Sequence, residues 1–154
     1  MNPDYLAPNL VVHAECLARS LKRFAGRELF PALAGEALAR AFAAAPFVVV
    51  SHGTQADPIL NYGNRAALAL WEMDWDEFTR TPSRLTAESP ERTERARLLA
   101  AVAQHGFIDD YSGIRISKSG RRFRILQATV WNLVTESGEP RGQAAMFDRW
   151  EFLG

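Results

Sequence analysis

With 154 residues, 47% of them apolar and 23% charged, the chain has the length of one domain and can bury a core. Its 18 basic and 18 acidic side chains cancel, which excludes a global field that would recruit nucleic acid or an anionic membrane. A single cysteine, Cys16, excludes an internal disulfide and a multi-cysteine metal site, and no apolar run approaches the roughly 18 residues of a membrane span.

The opening MNPDYLAPNL carries no signal-peptide pattern, so the expectation is a soluble, cytoplasmic protein without nucleic-acid or membrane partners. Pro8 and Asn9 lead into a first helix near residues 9–26. Its apolar residues Leu10, Ala14, Leu17, Leu21 and Phe24 recur at helical spacing, with Glu15, Arg19, Lys22 and Arg23 between them and Gly26 as the stop. Cys16 falls on this helix and reads as an inert buried thiol. After Pro31 an Ala-rich helix spans roughly residues 35–44, up to Pro46. The first 45 residues thus form a helical extension ahead of the main domain.

The run of valines from Phe47 to Ser51 is a strand, His52-Gly53-Thr54 a turn, and Ile59–Tyr62 a second short strand entered through Asp57-Pro58. Asn64 is placed to cap a helix carried by Ala66, Ala67, Leu68, Ala69 and Leu70. Asp74 caps a short helix over Trp75–Phe78, closed by Thr81-Pro82-Ser83. Ser89-Pro90-Glu91 is an N-cap, a first-turn proline and a first-turn acid. It starts a helix that runs to His105 and stops at Gly106, with Ala96, Leu99, Val102 and Ala103 as its apolar face. Three strands follow, 107–116, 122–134 and 142–150, joined by Lys118-Ser119-Gly120-Arg121 and by 135–140. Short connections of this kind make an antiparallel meander. The basic cluster Arg121-Arg122-Phe123-Arg124 reads as charge on the outer face of a strand. The whole is α+β: an antiparallel sheet with short helices gathered on one face, behind an N-terminal helical extension, and a pocket belongs between the helices and the sheet.

The segment Ile59-Leu60-Asn61-Tyr62-Gly63-Asn64-Arg65-Ala66-Ala67-Leu68, followed by Trp75-Asp76-Glu77-Phe78, resembles the opening of a PAS domain, a small sensor and interaction fold. A closer resemblance runs from about His13 to Phe147. The strings APFVVVSHGTQADPILNYGNRAAL, GFIDDYSGIRISKSGRRFRI, ATVWNLV and GQAAMF look like the MEKHLA domain, a PAS-like family found at the C-terminus of certain plant homeodomain-zipper transcription factors and as stand-alone bacterial proteins. The chain resembles the stand-alone bacterial form. The resemblance implies a PAS-like MEKHLA domain over 46–150 after the extension at 1–45, and a sensory or dimer-regulating role. It carries over no ligand and no catalytic residue.

The long strand 122–134 holds the most telling pattern. Strict alternation puts Phe123, Ile125, Gln127, Thr129, Trp131 and Leu133 on one face. Gln127 and Thr129 on a core-facing surface need partners, which a ligand, backbone groups or a buried water could supply. The opposite face, with Leu126, Ala128 and Val130, also needs a cover. The first helix or a second subunit would provide it, which predicts a homodimer. Trp71, Trp75, Phe78, Phe107, Tyr111 and Trp131 either converge on the cavity or pack as ordinary core. Asp109 and Asp110 alternate faces, and Arg115 or Arg122 would pair with the outer one at the surface.

His52 reads as a turn histidine. His105, in the last helical turn, reads as a cap of the final carbonyls and, in a PAS-like pocket, as a candidate haem ligand. His13 is assigned nothing. Flavin photochemistry through a cysteinyl adduct is excluded because the only cysteine lies in the helical extension, while reversible flavin binding is not. The spacing of His52, Asp57 and His105 suggests no metal site, and no nucleophile elbow, phosphate loop or dinucleotide fingerprint points to an enzyme. The candidate ligand set is therefore Trp71, Trp75, Phe78, His105, Tyr111, Gln127, Thr129 and Trp131, with no cofactor named and no catalytic or metal residue. The expected function is a sensory module that binds a small molecule and signals through dimerisation. A ligand-free interaction module is the alternative, and an enzyme on this scaffold a third reading.

Overall fold

The computed structural model describes residues 3–154, with backbone alone at Ser89 and Pro90. Helices α1 (Pro8–Ala25) and α2 (Gly35–Ala44) precede strands β1 (Val48–His52) and β2 (Leu60–Gly63). Helix α3 (Arg65–Trp71), the short α4 (Trp75–Phe78), a 3-10 turn at Ser83–Thr86 and α5 (Ser89–His105) follow. Strands β3 (Phe107–Ile116), β4 (Arg122–Val134), β5 (Pro140–Phe147) and β6 (Arg149–Phe152) complete the chain. All pairings are antiparallel, in the order β2-β1-β5-β4-β3, with β6 continuing the β5 edge along β4.

Each sheet face carries its own core. On one face α1 and α2 lay Leu17, Leu21, Leu38 and Phe42 against Val49, Tyr62, Trp131, Leu133, Ala144 and Met146. On the other face α3 and α4 lay Ala67, Leu70, Trp71 and Phe78 against Val48, Phe123, Ile125, Ala128 and Phe147. Helices thus cover both faces: α1 packs on the face of Trp131 and Leu133, while Ala128 and Val130, for which the sequence left a first-helix or second-subunit cover open, lie beneath α3 to α5. Ser20 on α1 ties the layers together: Val134 N–H donates to its hydroxyl at 3.0 Å. Cys16 is buried beside it, its sulfur 3.4 Å from the Val134 carbonyl.

Asn64 joins three elements. Its Oδ1 accepts from Ala67 N in the first turn of α3 and from Val49 N on β1, both at 3.1 Å. Its Nδ2 donates to Phe42 O at 3.0 Å and Phe47 O at 2.9 Å. The cap was legible in the sequence. The links to α2 and β1 exist only because the fold brings their backbone groups to the same buried amide.

Three sequence expectations are corrected. First, the strand placed at 142–150 is two strands, β5 and β6, interrupted at Asp148. Second, α5 presents Arg95, Leu98, Leu99 and Val102 to the protein, while Ala96 and Ala103 are exposed. Its first residue is Ser89 with Glu88 in the N-cap position, so the expected Ser89 cap is displaced by one residue, and its side chain lies outside the described residues.

The third correction decides the site. Gln127 has φ +50°, in the left-handed region, and the β3–β4 register shifts by one residue between Tyr111 and Gly113 opposite it. This is a β-bulge, and beyond it every side chain changes face. Phe123 and Ile125 therefore share a face with Ala128 and Val130, not with Thr129, Trp131 and Leu133. Ala128 and Val130 are buried inside the molecule, so they do not form the outer dimer surface expected of Leu126, Ala128 and Val130.

Candidate functional site

Between the inner face of the sheet and the layer of α3, α4, the 3-10 turn and α5 lies a cavity. The centre of a water-sized sphere can move through about 70 Å³ of it. One water needs roughly 10–15 Å³ on that measure, so there is room for a few waters or a small organic molecule. Its apolar wall is made by Val50, Leu60, Trp71, Phe78, Leu98, Leu99, Ile125, Ala128, Val130 and Phe147. Trp71 closes one end, edge-on to Phe123 at 5.3 Å and Phe147 at 6.2 Å between ring centroids. The sheet holds α5 above the cavity through two amides: Asn132 Nδ2 donates to Val102 O at 2.9 Å and Gln143 Nε2 to Leu99 O at 2.8 Å. Gly142 on β5 lets β1 end close beside it. It has φ +124°, and a Cβ there would run into the His52 carbonyl oxygen.

The polar wall is cationic. Arg95 from α5 and Arg115 from β3 are only 7% and 8% exposed. Arg95 Nη2 donates to Ser83 Oγ in the 3-10 turn. Arg115 donates to the Ile114 carbonyl at 2.9 Å and to the Tyr111 hydroxyl at 3.2 Å, with its guanidinium over the Tyr111 ring. Gly113 allows this, because a Cβ there would meet the Tyr111 hydroxyl. Burial, and then the Arg115 charge, lower the Arg95 pKa to about 10, against the pull of Tyr111 and Asp57, so Arg95 stays charged at neutral pH.

His52, at the end of β1, lies within reach of the same field. Burial foremost, with help from the Arg95 charge, holds its pKa below the ordinary histidine value, while the Gly53 carbonyl and the Gln143 amide act to raise it. Nδ1 donates to Gly53 O at 3.0 Å. Its Nε2 is buried without a partner in hydrogen-bonding geometry, Gln143 approaching but not completing a bond, and the buried Trp71 Nε1 is likewise unpartnered. A buried donor or acceptor left unpaired costs about 1–3 kcal/mol, and two of those in this chain lie on side chains that line the cavity.

The MEKHLA domain family matches residues 11–152 of this sequence. The chain belongs to that family. No curated protein matches it. Among solved structures it is similar to a PAS domain from Colwellia psychrerythraea, with TM-score 0.58 and 17% identity over 75% of this chain and 92% of that one. It is also similar to a light-oxygen-voltage domain studied with a flavin analogue, with TM-score 0.57 and 15% identity over 76% of this chain and 84% of that one. A third is the PAS domain of a LuxR-family transcriptional regulator from Burkholderia thailandensis, solved in complex with ethanol, with TM-score 0.52 and 19% identity over 74% of this chain and 95% of that one. At these identities the likeness establishes the fold alone: the MEKHLA chain is an α+β domain of PAS type.

Of the residues singled out in the MEKHLA sequence, Trp71, Phe78 and Tyr111 line the cavity. Trp75 packs edge-on against Tyr5 and Tyr62, on the side of α1. Trp131 is fully buried against α1, and His105 is exposed at the end of α5. Gln127 and Thr129 line a separate depression of about 130 Å³ with Arg27, Leu29 and Phe47. There Arg27 donates to the Thr129 hydroxyl at 2.9 Å and Arg149 to Gln127 Oε1. The bulge explains Thr129 and Trp131, since one residue of slip turns both away from the cavity. Asp109 and Asp110 are both exposed, and Arg115, expected at the surface as a partner for one of them, is buried in the cavity wall. Arg95, Arg115, His52 and Gln143 were not selected from the sequence. The available signal was Arg95 at helical spacing with Leu98, Leu99 and Val102, which a search for apolar faces passes over.

Proposed function

We propose that this MEKHLA domain is a sensory module that takes a small molecule into the cavity between its sheet and the α3–α5 layer, and that occupancy is passed on through a homodimer. One observation carries the reading: the cavity is bounded by two layers of the fold, and two of the side chains that line it, His52 and Trp71, carry buried ring nitrogens with no hydrogen-bond partner among the described residues. The PAS domain solved with ethanol is a structural precedent for a ligand of this size. A three-ring flavin does not fit the present arrangement of side chains, which leaves space for a few waters or a small organic molecule. Cys16, bonded to the Val134 carbonyl within the α1-side core, is not placed for an adduct in the cavity. For the homodimer, with Ala128 and Val130 turned inward, Val12 on α1 at 65% exposure is the apolar position offered to a second copy.

Native mass spectrometry and a thermal-shift screen of small neutral and charged molecules test the proposal. Ala128→Leu, which fills the cavity from β4, is the control. At least one compound is expected to stabilise the wild type by mass action and not the filled variant. If no compound discriminates between the two, the cavity is a water site and the reading fails. Light scattering of wild type against Val12→Glu tests the dimer, which is expected to give way to monomer.

A further inference from the structure

Among the described residues, the cavity wall holds two guanidinium groups and no carboxylate. Among the described residues, neither Arg95 nor Arg115 has an acidic partner: Asp57 pairs with Arg84 at 3.2 Å, and Glu88 lies 3.7 Å from Arg122, both at exposed positions. Two like charges in one wall repel, and burial has stripped part of the hydration from Arg95. Such an arrangement opposes folding unless something of opposite sign occupies the space between the layers. A purely structural arginine buried this deeply normally carries its counter-ion with it.

The donors point the same way. A guanidinium has five N–H groups. The hydrogen bonds to Ser83, Ile114 and Tyr111 use one on Arg95 and two on Arg115, which leaves most of the donors of both groups without a protein acceptor. Tyr111 lies on Gly113 and under Arg115, which fixes that guanidinium in place before any ligand arrives. Trp71, which lines the same cavity, carries a buried Nε1, a donor only, with no partner among the described residues. The remaining lining, from Phe78, Leu98, Leu99, Ile125 and Phe147, is apolar.

We propose that the cavity recognises a small organic carboxylate, its anionic head held by Arg95 and Arg115 and its short apolar body packed against Trp71, Phe78 and Ile125. This rests on the ligand-binding reading above and specifies its chemistry. Carboxylate matches the planar fork of an arginine bidentately. The volume admits a body of a few carbons and excludes a nucleotide or a fatty acid. Inorganic anions share the charge but not the apolar half, and the test separates them.

Butyrate and benzoate are titrated into the full chain at millimolar concentration, with butyramide and benzamide as neutral isosteres and chloride and phosphate as inorganic controls. Binding is read by calorimetry and by tryptophan fluorescence, since Trp71 borders the site. The acids are expected to bind at least roughly tenfold more tightly than their amides. Arg95→Met and Arg115→Met are each expected to remove that preference while leaving the ligand-free protein as stable or more stable, because an uncompensated buried charge has been taken out. Ala128→Leu should abolish acid binding.

Equal affinity for acid and amide, or binding of phosphate in place of both, overturns the carboxylate inference and leaves the ligand-binding reading standing. Acid binding that survives Ala128→Leu puts the anion outside the cavity and overturns both. No binding of either acid overturns the inference, and the neutral screen then decides the broader reading alone. A loss of stability in both arginine variants without any change in acid preference assigns the pair a structural role.

Discussion

Asn64→Ala tests how this fold is joined. The wild-type side chain is fully buried and makes four hydrogen bonds, to Val49 N, Ala67 N, Phe42 O and Phe47 O. Alanine leaves those backbone groups in place without partners. At about 0.5–1.5 kcal/mol for each bond, the expected loss is about 4 kcal/mol, within a range of roughly 2–6. Total stability for a domain of this size is about 5–15 kcal/mol, so the variant should be near the edge of folding at room temperature. An exposed cap in the same chain provides the scale. Asp74 accepts from Glu77 N at 2.8 Å at the start of α4, and Asp74→Ala should cost distinctly less than Asn64→Ala. Urea unfolding followed by tryptophan fluorescence measures both. Asn64→Asp adds a sign. It keeps the cap acceptor but turns an oxygen toward two carbonyls, which raises the carboxyl pKa in the folded state above its unfolded value of about 3.9. The folded state then binds the extra proton, so this variant should recover stability as pH falls toward 4. If Asn64→Ala costs no more than Asp74→Ala, Asn64 is a helix cap and nothing else, and the argument that it joins α2, β1 and α3 is wrong.

The His13 ring stacks on Tyr62 at 5.2 Å, with Nε2 2.9 Å from Ser51 Oγ, and burial lowers its pKa to about 4. The unfolded value is about 6.5, so the unfolded chain binds the proton first. The full contribution is present above about pH 6.5 and is lost as pH falls toward 4, up to roughly 3 kcal/mol. His13→Gln should flatten that part of the urea-stability profile, and parallel profiles for the two proteins would refute the assignment. At Gln127, a regular half-buried strand would gain from Gln127→Val, since valine favours strands. With φ at +50°, a β-branched residue should instead lose about 1–2 kcal/mol, while Gln127→Gly should be neutral or up to about 1 kcal/mol more stable. A stabilised valine variant in thermal unfolding would show that the bulge is absent in solution.

The backbone plan was readable because it rests on local signals. Gly26 and Gly106 stop α1 and α5, Asn64 and Asp74 cap α3 and α4, and the bounds of α2, β3 and β4 follow from propensity and turn residues. The cavity was half readable. Trp71, Phe78 and Tyr111 face it, while the period-2 rule carried Gln127, Thr129 and Trp131 to the wrong side. A bulge has no marker in the residue string when its left-handed position is filled by glutamine and not by glycine or asparagine. Arg95 was missed for a related reason, because an inward charge in a helical stripe looks like a break in the apolar face.

The MEKHLA sequence by itself determined the order and bounds of most elements, the antiparallel meander and the family, because capping, propensity and alternation act over a few neighbouring residues. Tertiary structure alone decided which face each β4 residue shows, since one left-handed backbone position reverses all that follows. It also decided that Arg95 and Arg115, 20 positions apart, meet across one cavity with no acid between them. That juxtaposition depends on α5 docking over β3, held by Gln143 and Asn132 from strands far along the chain, and no local signal encodes it.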